Sequence, residues 1–227
     1  LNARDMPQAR ASFAELGKRF PKSTFVPQGM LDLAIALFES ADRRSADSLY
    51  KLVIERFPND TASASRAAFE RGVVMRSAGD SAQAMVQFLE TADRFPDTEF
   101  GDQARFQVAM AHRRQRNTDS ARYHFEILGT RRDAPLLAAH SLYLAGELDV
   151  RDKRFERAIG YFDKVRNDYA GYEDWYTLSM LGLGECYEQV GNKEGALEVY
   201  AVVAGLRPDD DYGKAALARV KRLERRR

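Results

Sequence analysis

One pattern repeats along the whole sequence: an alanine followed four residues later by an aromatic residue. It occurs at intervals of 37 or 38 residues in the pairs Ala9/Phe13, Ala46/Tyr50, Ala84/Phe88, Ala121/Phe125, Ala158/Phe162 and Ala196/Tyr200. Residues four apart lie on the same face of an α-helix. A fixed period of this length is typical of proteins built from short units that pack against their neighbours. We therefore interpret the chain as a tandem helical repeat.

A second position of each unit carries a small residue, twelve residues before an alanine of the first pattern: Ala34, Gly72, Ala109, Gly146 and Gly184. Glycine inside a helix costs roughly 1 kcal/mol relative to alanine, so its recurrence indicates close approach of another helix. Turn-forming residues lie between the two positions, as in "SAGDS" at 77–81 and "QVGNK" at 189–193. Such residues cap helices. Each unit is therefore predicted to be two antiparallel helices whose small and aromatic positions face each other.

Proline marks the predicted end of several second helices, because it cannot continue a helix and disfavours helical geometry in the residue before it. The prolines concerned are Pro21, Pro58, Pro96 and Pro208. We predict one domain over 1–227, a fragment of a longer chain. It comprises a half repeat at 1–21, repeats at about 26–58, 62–96, 100–133, 136–170 and 174–208, and a capping helix at 212–226.

The last unit carries the pattern most fully, in Leu183-Gly184, Tyr187, Ala196, Tyr200 and Pro208. This unit resembles the tetratricopeptide repeat. Other units depart from the signature at the place of Tyr187, where they have Leu37, Met75, His112 and Asp149. The resemblance implies an all-α, right-handed solenoid of antiparallel helix pairs. The long period resembles that of bacterial envelope proteins of the outer-membrane assembly and cell-division coordinator types, which implies a periplasmic or outer-membrane-associated setting, with the cytoplasm as the alternative.

Composition argues against several classes of protein. The formal net charge of +1 gives no overall attraction to nucleic acid. The single cysteine, Cys186, excludes an intrachain disulfide and a cysteine-rich zinc module. His112, His124 and His140 lack the spacing of metal ligands, and we interpret them, like Cys186, as packed or surface residues. We find no catalytic motif and no apolar run that could span a membrane, and we expect a non-enzymatic protein without metal or cofactor.

A binding surface is predicted from the first helices, which line the concave face in tetratricopeptide arrays. Three residues before the small position the units carry apolar side chains: Leu31, Phe69, Phe106, Tyr143 and Leu181. Arginines follow the small position by four or five residues: Arg76, Arg113, Arg114 and Arg151. A protein or peptide partner could bind this ladder, with the arginines favouring an acidic one. The alternatives are that the ladder is core between repeats and that the arginines stabilise helix C-termini.

A second candidate surface is the aromatic connection at 168–178, where Tyr172, Trp175 and Tyr176 could form a binding hot spot. Local packing is the alternative. Two further interpretations of the whole chain stay open at this point: a regulatory or structural domain appended to a catalytic or sensor domain, and self-association through the uncovered leading helix.

Overall fold

The computed structural model describes residues 6–20, 23 and 25–225. These residues form twelve α-helices and no β-strand, so the prediction of an all-helical repeat fold is confirmed. The helices are α1 (Met6–Arg19), α2 (Phe25–Glu39), α3 (Arg43–Arg56), α4 (Thr61–Ser77), α5 (Ser81–Arg94), α6 (Glu99–Arg114), α7 (Thr118–Leu128), α8 (Pro135–Arg151), α9 (Phe155–Asp168), α10 (Glu173–Gln189), α11 (Lys193–Leu206) and α12 (Asp211–Arg225). Pro21 and the side chain of Phe13 lie outside the described residues.

The turns between first and second helices share one geometry. The residue just before the N-cap has a positive φ, between 59° and 88°, at Ala41, Gly79, Arg116, Lys153 and Gly191. This left-handed conformation ends the first helix and reverses the chain. The next side chain then caps the second helix; the Asn192 oxygen, for example, accepts the Gly195 N–H at 2.9 Å. An equivalent bond is made by Asp42, Asp80 and Asn117. Arg154, before α9, makes no such bond, so side-chain caps support four of these five turns.

The contacts of the chain group into two units, residues 1–111 and 112–227. In the first unit, α2 packs against α3 around a core that includes the fully buried Met30, Leu31, Tyr50 and Val53. A second cluster there contains Phe88 and Val108. That the whole chain forms one domain with the repeat bounds given above stays a prediction.

In the second unit, each helix from α8 to α11 packs against the next, and α8 also contacts α10. The aromatic rings of Phe162 and Tyr200 are fully buried in its core, together with Leu183. Because α8 and α10 are the first helices of successive pairs, their contact places two first-helix faces side by side.

Glycine in the first helices makes room for the aromatic ring of the second. A Cβ atom added to Gly146 would lie 2.4 Å from the Phe162 ring, and one on Gly184 would lie 2.4 Å from the Tyr200 ring. Phe162 is enclosed from a second side, since a Cβ on Gly182 of α10 would be 2.7 Å from it. Gly72 lies against Phe88 in the same way. The alanines at the small positions of the first helices and at the repeated alanine positions of the second helices are buried: Ala34, Ala46, Ala84, Ala109, Ala121, Ala158 and Ala196.

Among the described helices, none combines the length and the apolar character needed to cross a membrane.

Candidate peptide-binding groove

A groove of about 320 Å³ lies between α8, α10 and α12 in the second unit. Its apolar wall includes Tyr143 from α8, Phe162 from α9, Leu178 and Leu181 from α10 and Ala215 from α12. Charged side chains line it as well: Glu147, Arg151, Glu185 and Arg219. A concave surface that combines apolar area with a few polar groups is the usual form of a binding site.

The helical period explains why these residues meet. On α8, Tyr143, Glu147 and Arg151 are four residues apart and so share one face. Leu181 and Glu185 have the same spacing on α10, as Ala215 and Arg219 do on α12. Three parallel rows of side chains therefore line the groove. We refer to this surface as the C-terminal groove.

Most of the charges in the C-terminal groove have partners. The Glu147 carboxylate accepts hydrogen bonds from the Arg113 guanidinium at 2.9 Å and from the Tyr143 hydroxyl at 3.0 Å. Arg151 donates to the Thr118 hydroxyl at 2.9 Å. Arg219 donates to the Tyr200 hydroxyl at 2.6 Å, and this hydroxyl donates to Glu188 at 2.9 Å. Burial and the neighbouring Glu147 raise the pKa of Tyr143, so its hydroxyl stays protonated and can donate.

The predicted ladder residues are in different environments. In the first unit, Leu31 is fully buried. Phe69 and Phe106 are half-buried, and the Phe69 ring lies 5.5 Å from the Phe88 ring. In the second unit, Tyr143 and Leu181 both line the C-terminal groove. The structure therefore brings two members of the ladder together at one concave surface.

The predicted arginine rim is mostly engaged within the chain. Arg76 donates to Gln107 and lies 5.6 Å from the centre of the Phe88 ring. Arg113 pairs with Glu147, as described above. Arg114 is exposed, and Arg151 is the rim arginine that lines the C-terminal groove. Whether these side chains bind an acidic partner stays a prediction.

The aromatic connection before α10 is packed against α8. Trp175 stacks on His140 with 3.9 Å between ring centres and lies 5.7 Å from Tyr143. Tyr172 and Tyr176 are half-buried. These rings support the helix that carries Tyr143, and their role as a binding hot spot stays a prediction.

Most of the lining residues were not among the predicted groove residues: Glu147, Val150, Phe162, Leu178, Gly182, Glu185, Ala215 and Arg219. A signal for Arg219 was present, because it follows Leu181 by 38 residues and so continues the ladder into α12. The groups of histidine, cysteine, aspartate and glutamate in the described residues contain no arrangement that could hold a metal ion.

Residues 31–98 match the family model of the tetratricopeptide repeat. This match covers less than a third of the chain and shows that this segment is similar to the tetratricopeptide repeat. No protein of curated function matches it in sequence.

Solved structures share the fold, among them tetratricopeptide repeat proteins. One, a tetratricopeptide repeat protein from Parabacteroides merdae, has a TM-score of 0.60 and 14% identity, with 87% of this chain and 73% of that chain covered. BtubC from P. vanneervenii has a TM-score of 0.59 and 16% identity, covering 99% and 92%. YrrB, a tetratricopeptide repeat protein with an unusual peptide-binding site, has a TM-score of 0.56 and 13% identity, covering 91% and 97%. At these identities the likeness establishes the fold alone.

One departure from the tetratricopeptide signature is a buried ion pair. Asp149, which stands at the place of Tyr187, is fully buried, and its carboxylate lies 2.8 Å from Arg122 and 3.3 Å from Arg157. The side chain of Arg122 is 4% exposed and also lies 2.7 Å from Asp119. The ion pair of Arg122 and Asp149 links α7 to α8, and the contact of Arg157 with Asp149 links α9 to α8. Burial raises the pKa of the Asp149 carboxyl despite the neighbouring arginines, so the opposite charges offset only part of their loss of hydration.

We expect His140 to make the second unit less stable in acid. Burial, assisted by the charge of Arg113, lowers the pKa of His140 to about 4. An unfolded histidine takes up a proton near pH 6.5. Between these values the unfolded state binds more protons, so the free energy of unfolding falls as the pH is lowered through this window. Because His140 is only partly buried and solvent screens its charge, the expected loss is about 1 kcal/mol between about pH 7 and pH 4.5.

Urea unfolding followed by the fluorescence of Trp175, the only tryptophan, measures this change. His140→Gln should reduce the pH slope, whatever it does to stability at neutral pH. Burial also lowers the pKa of His112. The variant His112→Gln therefore shows how much this second histidine contributes to the pH slope. An unchanged slope in His140→Gln would show that other groups cause the acid sensitivity.

Proposed function

We propose that this chain is a non-catalytic protein-interaction module that binds a peptide segment of a partner protein in the C-terminal groove. The tetratricopeptide fold suggests an interaction scaffold and is typically non-catalytic. The observation that carries the proposal is the groove itself, in which Tyr143 and Leu181 present apolar surface beside charged side chains. Burial of an apolar side chain supplies affinity, and the polar groups fix its register.

The groove can be blocked from its exposed edge. Ala215 is an exposed residue of α12 that lines the groove, so Ala215→Tyr should fill it without disturbing the core. Ala218→Tyr is a matched control, because Ala218 is exposed on the same helix and does not line the groove. Selection from a random peptide library displayed on phage, with the unmodified chain as bait, supplies the ligands.

We expect Ala215→Tyr to weaken binding of the selected peptides at least about tenfold, since the apolar side chain of the peptide loses its place. Ala218→Tyr should bind as the unmodified chain does. Fluorescence anisotropy of labelled peptides measures both affinities, and circular dichroism checks that both variants are folded. Equal binding by Ala215→Tyr and the unmodified chain, or a library that yields no specific peptide, would reject the groove as the binding site.

The cellular setting is a separate proposal. The long repeat period favours bacterial cell-envelope assembly, and a regulatory domain attached to a catalytic or sensor domain is the alternative. The full gene separates them, because a secretion signal would support the first and a catalytic domain the second.

Self-association is a further candidate, which the exposed side chains of Leu16 and Phe20 favour. A chain that stays monomeric at high concentration in light scattering would exclude it.

A further inference from the structure

The four charged residues of the C-terminal groove are not equivalent. Glu147 is neutralised by Arg113, Arg151 is bonded to Thr118 and lies 3.7 Å from Asp152, and Arg219 is bonded to Tyr200. Glu185 forms no hydrogen bond or ion pair within the described part of the chain. It interacts with Arg219 through their charges alone. The groove therefore presents one carboxylate whose hydrogen-bonding capacity is unused.

The position of Glu185 suits contact with a bound peptide. Its side chain is exposed, on the middle of the three helices that line the groove. Leu181 lies one helical turn before it, and Tyr143 lies on the neighbouring helix α8. A peptide whose apolar side chain rests on Tyr143 and Leu181 would place its next side chains near Glu185.

We propose that Glu185 recognises a lysine or arginine side chain that neighbours the apolar residue of the bound peptide. This inference rests on the proposed function. An ionised carboxylate accepts several hydrogen bonds and binds ammonium and guanidinium groups. Glu147, at the equivalent position of the preceding repeat, is already held by Arg113 and Tyr143, so Glu185 is the carboxylate of the groove that is left to bind a cation. Electrostatic complementarity of this kind selects among partners.

Reversing the charge tests the proposal. Peptides selected by the unmodified chain should carry lysine or arginine at a fixed distance from an apolar residue. Glu185→Lys should weaken their binding about tenfold and, in a fresh selection, favour aspartate or glutamate at the same place. Glu198→Lys makes the same change of charge at an exposed residue of α11 outside the groove. We expect it to leave affinity and selected sequences unchanged.

The outcomes separate this inference from the proposed function. One outcome is that the selected peptides lose binding to Ala215→Tyr and yet carry no preferred lysine or arginine. That result would overturn the role of Glu185 and leave the groove as the binding site. A weakening by Glu198→Lys equal to that by Glu185→Lys would show a general effect of charge and would also overturn it. Reduced binding at higher salt for the unmodified chain, with a smaller salt effect in Glu185→Gln, supports the contact.

Discussion

Replacing Asp149 by alanine is expected to lower the free energy of unfolding of the second unit by about 3 kcal/mol. The change removes the one fully buried carboxylate among the three that pair with Arg122, whose side chain is only 4% exposed. An uncompensated buried charge is strongly unfavourable. Asp119 and Asp152 remain near the guanidinium, at 2.7 and 3.6 Å, which keeps the loss at the lower end of the usual range. Urea unfolding followed by Trp175 fluorescence measures the change.

Two further variants identify the cause. Asp119→Ala removes a carboxylate whose side chain is 78% exposed, and we expect a much smaller loss of stability than Asp149→Ala causes. Combining Asp149→Leu with Arg122→Leu removes both buried charges and should recover much of the stability that Asp149→Ala loses. If the double variant is no more stable than Asp149→Ala, loss of packing rather than the stranded charge is responsible.

Gly146→Val is expected to destabilise the same unit by about 3 kcal/mol. A Cβ atom at this position would already lie 2.4 Å from the Phe162 ring. The ring is fully buried and is confined on another side by Gly182, so it has little freedom to move away. Valine adds two further methyl groups at this contact. Overpacking of a filled core forces side chains out of their preferred rotamers.

Gly160→Val is the matched control, because Gly160 is also helical and a Cβ there would meet nothing within 4 Å. Valine and glycine have similarly low helix propensities, so its stability should change by less than about 0.5 kcal/mol. Combined with Phe162→Ala, Gly146→Val should destabilise the unit by less than the sum of the two single changes, since the missing ring leaves room. Additive losses would show that the clash does not cause the effect.

The repeated helix pairs could be predicted from the sequence because their cause is local. The fixed spacing of small and aromatic residues implies that they face each other, and Gly146 and Phe162 are in contact. The caps could be read in the same way, since Asn192 acts on a residue three positions later. Such interactions depend on spacing along one short segment.

The binding surface was harder to predict because exposure depends on distant residues. Leu31 and Tyr143 occupy the same place in their repeats, yet Leu31 is fully buried and Tyr143 lines a groove. The difference comes from the side chains that neighbouring helices place over each one. Pairing of charges has the same origin: Glu147 and Glu185 are equivalent in sequence, and Arg113 neutralises only the first. The spacing within one unit contains no information on such partners.

The ring of Phe162 limits where a further repeat could be inserted into this chain by duplication. Gene duplication lengthens a repeat protein when a copied unit fits against its neighbours as the original did. Phe162 lies against Gly182 of the following repeat, and the repeat that contains Phe162 has Leu144 at the place of Gly182. A tandem copy of residues 136–170 would therefore bring a leucine against a ring that leaves no room for even one methyl group. We therefore expect a copy inserted at this junction to fit only if the Phe162 ring shifts or a smaller residue replaces the leucine.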